Sequence, residues 1–344
     1  MIKSGSVPES NENTFGTPHL ISVVIPVYQG EKTLPSVIAE ILPMTELAES
    51  PEGNPFIITE VLLVFDNGPD DSARVMRELA REYPFVRPVW LSKNFGQHAA
   101  TIAGMASSGG DWIVTLDEDG QHDPRDIGGL LDTAMREQSS IVYAKPVNAP
   151  SHGFLRNTAS RGAKWVLSKF FAGPDAPDYQ SYRLILGSIG RGVAAYSGSG
   201  VYLDVAMGWV AGRASTSPIT LRDEGDRKSG YSARRLFSHF WRMVLSSGTR
   251  GLRIVSFLGI AFAILGGLLA IFILIQRLTG GIVTEGWAST IVIVLVATGA
   301  ILFSLGIIAE YIGVNVNMAM GKPPYMITTD PGNGPLGRVR PPSA

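Results

Sequence analysis

The sequence predicts an α/β protein with a doubly wound sheet, followed by two helices able to cross a membrane. Three observations carry this reading. Short apolar, β-branched runs recur between residues 21 and 144 and are separated by helical patterns. Two nearly charge-free segments follow, at residues 254–275 and 288–309. One of the apolar runs ends in the acidic stretch Leu116-Asp117-Glu118-Asp119-Gly120-Gln121-His122-Asp123-Pro124.

Taken in order, the first 18 residues are rich in Ser, Asn, Pro and Gly and are expected to be disordered. They are polar, with Glu9, Asn11, Glu12 and Asn13, and contain no apolar core of a signal peptide. Strands are expected at 21–25, 60–65, 86–91, 112–116 and 140–144, with helices between them, for example at 71–83 and 99–107. Continuous apolar strands alternating with helices imply a parallel sheet covered on both faces. The doubly wound part spans about 19–150, within a cytoplasmic domain expected to run to residue 230.

Aromatic and basic residues then intermingle. Phe154, Leu155, Trp165 and Phe170 lie among Arg156, Arg161, Lys164 and Lys169. Such a helix either lies in a membrane interface or packs on a core with a solvated basic face. Residues 231–250 repeat the theme with Arg234, Arg235, Phe237, Phe240, Trp241 and Arg242, and read as a juxtamembrane amphipathic helix. Each charge-free segment is roughly 22 residues, enough to span a hydrocarbon core of about 30 Å. Together they place two transmembrane helices within 251–313. Arg250 and Arg253 precede the first, and Lys322, Arg338 and Arg340 follow the second. The short connection holds only Arg277 and Glu285, so the distribution of cations puts both ends in the cytoplasm. Residues 314–344 are expected to form a cytoplasmic tail, mobile beyond Asp330.

The 344 residues carry a formal net charge of -1, which gives no reason to expect nucleic acid as a partner. No cysteine is present, which excludes disulfides, thiolate metal sites and cysteine nucleophiles.

Chemistry is expected at the carboxyl ends of the strands, where open α/β sheets bind ligands. The first end reads Ile25-Pro26-Val27-Tyr28-Gln29-Gly30-Glu31 and the second Phe65-Asp66-Asn67-Gly68-Pro69-Asp70-Asp71. A carboxylate such as Asp66 there either accepts hydrogen bonds from a base or ribose, or caps the following helix. After the third strand, Lys93 could approach a diphosphate and Gly96 lets backbone come close. Asp117 and Asp119 offer hard oxygen ligands suited to Mg²⁺ or Mn²⁺ shared with a substrate diphosphate. The bland alternative is an acidic turn capping the helix that begins near Pro124. His98 and His122 stand in no pattern typical of a histidine metal site.

The ordered motifs V-V-I-P-V-Y, F-D-N-G-P-D-D-S, L-S-K-N-F-G-Q-H-A-A and T-L-D-E-D-G-Q-H-D-P, between residues 21 and 124, resemble the catalytic domain of glycosyltransferase family 2. Their D-x-D-x-Q form is similar to that of the polyprenyl-phosphate glycosyltransferases. Tyr182-Arg183-Leu184 resembles that group's F-R-L element and Lys228-Ser229-Gly230-Tyr231-Ser232 its K-S-x-Y segment. The stretch from Gly306 to Gly313 resembles the second span of its two-span members. Three departures stand out: Asn67 and Pro69 within the usual D-D-G-S, Ser181 where an acid usually precedes F-R-L, and Arg227 in place of a glycine.

The resemblance implies a GT-A-like nucleotide-diphospho-sugar transferase sheet. It implies inverting transfer of a sugar from a nucleotide-diphosphate donor, UDP-linked rather than GDP-linked, to polyprenyl phosphate such as undecaprenyl phosphate. The site would lie at the cytoplasmic face of a bacterial inner membrane. It assigns Asp117, Asp119 and Gln121 to a Mg²⁺ or Mn²⁺ ion. Pro26, Tyr28, Glu31, Asp66, Lys93, Gly96 and Glu118 fall to the donor, and Arg156, Arg183, Arg222 and Lys228 to the acceptor phosphate. Asp117, Asp119 and Arg183 are the expected catalytic residues. The expected partners are a nucleotide sugar, a polyprenyl-phosphate lipid, the membrane and further copies of the chain, in a tetramer-like assembly through the membrane helices. A processive polysaccharide synthase is the alternative within the fold, but its Q-x-x-R-W motif is missing. A non-catalytic membrane scaffold is the other alternative, which the intact Asp117, Asp119 and Gln121 oppose.

Overall fold

The computed structural model describes residues 16–148, 180–198, 201–222, 250–279 and 287–334. Both aromatic and basic stretches, 152–171 and 231–247, lie outside the described residues, as do Arg156, Arg227 and Lys228.

Among the described residues nine strands form one sheet. They are β1 (His19–Val27), β2 (Ala48–Glu49), β3 (Pro55–Phe65), β4 (Val86–Leu91), β5 (Trp112–Thr115), β6 (Ile141–Pro146), β7 (Arg183–Leu186), β8 (Ala214–Ile219) and β9 (Ile327–Thr328). The order is β8-β6-β7-β5-β1-β3-β4-β9, with β2 paired to β3. The central strands β4, β3, β1 and β5 are mutually parallel. Ile21, Val23, Val24, Ile25 and Val27 of β1 are all fully buried, as expected of a strand covered on both faces.

Helices supply the two covering layers. On one face lie α1 (Leu34–Ile41), α2 (Ser72–Glu82) and α4 (Ile127–Glu137). On the other lie α3 (Gln97–Ser107), α5 (Gly187–Tyr196) and α6 (Leu203–Val210). The two layers divide β1 by parity: Ile21, Val23, Ile25 and Val27 pack with the first, Val24 with the second. In α2 the buried Val75, Met76 and Leu79 form one face of a helix whose other positions are mostly charged.

The expected strands recur within a few residues, but the sheet is mixed rather than parallel. β7 runs antiparallel between β5 and β6, pairing Arg183 with both Thr115 and Tyr143. β7 is thus inserted between β5 and β6 although it follows both in the chain, a topology that local patterning does not encode. A second departure concerns the tail: β9 pairs antiparallel with β4, so residues 326–334 return to the sheet edge.

Beyond the sheet stand two long helices, α7 (Arg250–Leu278) and α8 (Trp287–Ala319). Ile264, Leu268 and Phe272 on the first, and Ile301, Phe303 and Leu305 on the second, expose apolar side chains. Among the described residues one stretch, Val296–Ala319, is long and apolar enough to cross a membrane. It extends ten residues past the 309 expected from sequence, taking in Glu310.

Candidate active site

Chain order reverses at β1: β3 and β4 build outward on one side, and β5 crosses to the other. The crevice at this switch point is where the strand-end loops converge. Pro26 opens it. The Leu116 N–H donates to the Val24 carbonyl (3.0 Å), so even-numbered backbone groups of β1 face β5. Pro26 is the next such residue and has no N–H to return to Leu116, which ends the ladder and lets the two chains part.

Three loops are stitched together across the gap. The Glu118 carboxylate accepts from the N–H groups of Tyr28 (2.7 Å) and Gln29 (2.8 Å), joining the β5 loop to the β1 loop. The Ser72 hydroxyl accepts from the Gly30 N–H (2.8 Å) and donates to Asp70 (2.6 Å), joining the β3 loop to the β1 loop. Gly68 seats the two backbones against each other: a Cβ there would lie 1.5 Å from the Tyr28 carbonyl oxygen. Asn67 precedes it with φ of 53°, a left-handed conformation that Asn tolerates. Its side-chain N–H donates to the Leu91 carbonyl at 2.6 Å. A carboxylate at 67 has no proton to offer that carbonyl, which gives the departure from D-D-G-S a structural reason.

Asp66 is buried and accepts from the N–H groups of Phe95 (2.7 Å) and Gly96 (2.8 Å). Burial raises its carboxyl above the usual carboxylate range, while the two N–H groups oppose that shift. Its role is therefore to hold the end of the 92–96 loop, where Gly96 has φ of 92°. Lys93 is exposed, with its ammonium 5.1 Å from the Phe95 ring centroid. Tyr28 is 43% exposed. Glu31 accepts from the Asp71 N–H (3.4 Å) while its own N–H donates to Asp70 (3.2 Å).

The acidic loop is half-buried and held from several sides. Asp117 accepts from Gln97 Nε2 on one oxygen (2.6 Å) and from the Ser181 hydroxyl on the other (2.5 Å). Its N–H donates to His122 Nδ1 (3.3 Å), so that buried imidazole is an acceptor there, with its ring 4.9 Å from that of Tyr182. The turn closes through the Gln121 N–H, which donates to Asp119 (3.0 Å), and through Gly120, whose φ of 77° favours glycine. Gln97 and Ser181 did not stand out as ligand holders in the sequence. Ser181 is visible there only as a departure from the expected acid.

The expected acceptor cations fare differently. Arg183 does not face the crevice. It is buried with Asp204, to which it is ion-paired, and it donates to the Thr115 hydroxyl (3.2 Å). Its charge is spent inside the fold, because a cation at the start of an inner strand needs a counter-charge there. Arg222 lies beside the acidic loop, its N–H donating to the Gln121 carbonyl (3.0 Å). Its guanidinium bridges Glu40 and Asp123, both at 2.8 Å. The Arg125 side chain, then Arg222, holds the Asp123 carboxyl well below the usual carboxylate range.

No group of three His, Asp or Glu side chains converges as a metal cluster among the described residues. The residues that could hold a metal ion are two carboxylates, Asp117 and Asp119, on the loop that follows β5. That set matches the way Mg²⁺ is held by one or two carboxylates together with substrate phosphates.

Residues 22–190 match the family described as Glycosyl transferase family 2. An undecaprenyl-phosphate 4-deoxy-4-formamido-L-arabinose transferase from Klebsiella pneumoniae (strain 342) is 32% identical over 326 residues, covering 91% of this chain and 94% of that protein. The protein of the same name from Proteus mirabilis is 29% identical over 324 residues, covering 92% and 95%. Among solved structures, mannosyl-3-phosphoglycerate synthase from Rubrobacter xylanophilus is similar with a TM-score of 0.48 at 16% identity, covering 68% of this chain and 74% of that one. On the family match and the extent of these relatives, the chain belongs to glycosyl transferase family 2, a glycosyltransferase on a GT-A-like α/β sheet.

Proposed function

We propose that the protein transfers a sugar, with inversion, from a nucleotide-diphosphate donor to polyprenyl phosphate at the cytoplasmic face of a membrane. The observation that carries this reading is Asp117 and Asp119 at the switch point, with Glu118 between them stitching the β5 loop to the β1 loop. That arrangement supplies anionic ligands beside a crevice able to take a nucleoside.

A divalent ion held by Asp117 and Asp119, with Gln121 adjacent, would offset the charge of the departing nucleotide diphosphate. Gln97 and Ser181 orient Asp117 for that role. Tyr28, Glu31 and the 92–96 loop frame the donor, and the exposed Lys93 adds a cation near the diphosphate. The acceptor is a phosphate monoester, anionic at neutral pH, so it attacks without a strong general base. With Arg183 paired inside the fold and Arg222 engaged by Glu40 and Asp123, Arg156 and Lys228 are the remaining cations for that phosphate. The two long apolar helices keep the site beside the leaflet holding the lipid, and the names of the relatives support undecaprenyl phosphate as acceptor.

The test is incubation of purified protein with radiolabelled nucleotide sugars, UDP-linked ones first, and undecaprenyl phosphate. Sugar entering the lipid phase with one donor only supports the reading and identifies the sugar. Asp119→Asn abolishes transfer while the protein stays in the membrane fraction. Full turnover in that variant sinks the metal assignment.

A further inference from the structure

We infer that the segment Tyr325–Asp330, which follows α8, is a positioning strap for the donor loop 92–96. The inference rests on the reading above that this loop frames the nucleotide sugar. Three sets of contacts argue for it.

First, β9 lengthens the sheet directly beside the loop. Leu91 pairs with Ile327 and Trp90 with Thr328, and the next N–H, that of Ser92, donates to the Met326 carbonyl (2.9 Å). The strap therefore holds the residue immediately before Lys93. Second, the strap is itself locked. Asp330 accepts from Arg77 Nε (2.8 Å) and Nη2 (2.7 Å), a paired geometry in which both side chains are largely shielded, 28% and 13% exposed. The same guanidinium lies 4.9 Å from the Trp90 ring centroid, so it ties α2, β4 and the strap together. Third, the far end of the loop has its own anchor, Asp66 on the Phe95 and Gly96 N–H groups. Phe95 and Tyr325 also pack on the same core cluster.

The loop is thus gripped at both ends, by the β3 loop and by the strap, with exposed Lys93 and Asn94 between. Removing the strap uncovers the edge of β4 and frees the Ser92 N–H, leaving the loop held by Asn67 at the Leu91 carbonyl and by Asp66 at Phe95 and Gly96. Only residues 320–325 separate α8 from Met326, so the donor loop is tied through the strap to the helix that, among the described residues, is long and apolar enough to cross a membrane.

The experiment compares the full-length protein in detergent with Asp330→Ala and the isosteric Asp330→Asn, a pair that covers a misfolded alanine variant. Hydrogen–deuterium exchange is followed on peptides spanning 91–97, and KM is measured for the nucleotide sugar and for undecaprenyl phosphate separately. Exchange in 91–97 is expected to rise, and the donor KM with it, roughly five- to tenfold, while the acceptor KM stays put. Unchanged exchange overturns the inference, and so does faster exchange with an unaltered donor KM. An equal loss for both substrates that tracks thermal stability assigns a merely structural role and overturns it too. A wild-type protein that transfers no sugar counts against the function proposed above, and the exchange comparison then judges the strap alone.

Discussion

The buried pair Arg183–Asp204 offers a quantitative test of whether this arginine serves the fold or the substrate. The side chains are 3% and 6% exposed, and Arg183 has one further partner in the Thr115 hydroxyl. Burial raises the Asp204 carboxyl, and the guanidinium opposes that shift. The two partners therefore respond unequally to loss of the other. In Arg183→Met, Asp204 can take up a proton and become neutral. In Asp204→Leu the guanidinium cannot shed its charge and is left in the core without a counter-charge, with the Thr115 hydroxyl as its hydrogen-bond partner. Removing one partner of a buried pair costs about 3–5 kcal/mol. Asp204→Leu belongs at the upper end and Arg183→Met below it. For a domain of this size each kcal/mol is worth about 2–4 °C, so Asp204→Leu lowers the midpoint by roughly 10–20 °C. The double variant loses less than the sum of the two. Thermal unfolding in detergent, followed by tryptophan fluorescence, reads this directly, because Trp90 and Trp112 are buried in the sheet. Well below its midpoint, Arg183→Met still transfers sugar. Midpoints within about 2 °C of the parent, combined with abolished transfer, would place Arg183 on the substrate and refute the argument.

Gly68→Ala forces a Cβ to within 1.5 Å of the Tyr28 carbonyl and so displaces the β1 loop. Transfer should fall on the order of 100-fold in kcat/KM, and unaltered kinetics would contradict the close approach. Ser181→Ala combined with Gln97→Ala removes both donors to Asp117. The Mg²⁺ or Mn²⁺ concentration for half-maximal transfer should rise about 10-fold or more, and an unshifted titration would remove these residues from the role of orienting a ligand. Acidification tests Asp123. Its folded carboxyl is depressed by Arg125 and Arg222, so its stabilisation is complete above an unfolded value of about 3.9 and is lost as pH falls through the lower folded value. Asp66, raised by burial, acts in the opposite sense, so the informative quantity is the difference between parent and Asp123→Asn in urea midpoints from pH 7 to 3. That difference should shrink below pH 4, and a constant one would contradict the assignment.

The parallel core was legible because each of its strands is dominated by apolar residues and ends in a loop of polar and glycine residues. Residues 86–91 and 112–116 fall within one residue of β4 and β5. Antiparallel β7 was not legible as a strand. Four residues, R-L-I-L, give no periodicity, and their place between β5 and β6 depends on pairing with strands about 40 and 70 positions away. The site was legible as residue types more than as roles. Asp66 and Glu118 sit at the expected loops, but both are committed to backbone N–H groups. Arg183 shows the limit most plainly, since its partner Asp204 lies 21 positions on and carries no local signal. Gln97 stood inside a recognised motif, yet its aim at Asp117 follows from the meeting of two loops, which spacing along the chain does not report.

The placement of β9 also bears on how the chain is made. Trp90 and Leu91 pair with residues 237 positions or so further along, beyond both long helices. During synthesis the sheet from β8 to β4 can assemble while residue 327 is still unmade, and the outer edge of β4 then waits, open, for the rest of the chain. Completion of the sheet thus reports that α7 and α8 have been synthesised. A chain truncated within α8 would carry an uncovered strand edge at Trp90 and Leu91, the kind of surface that invites aggregation and clearance.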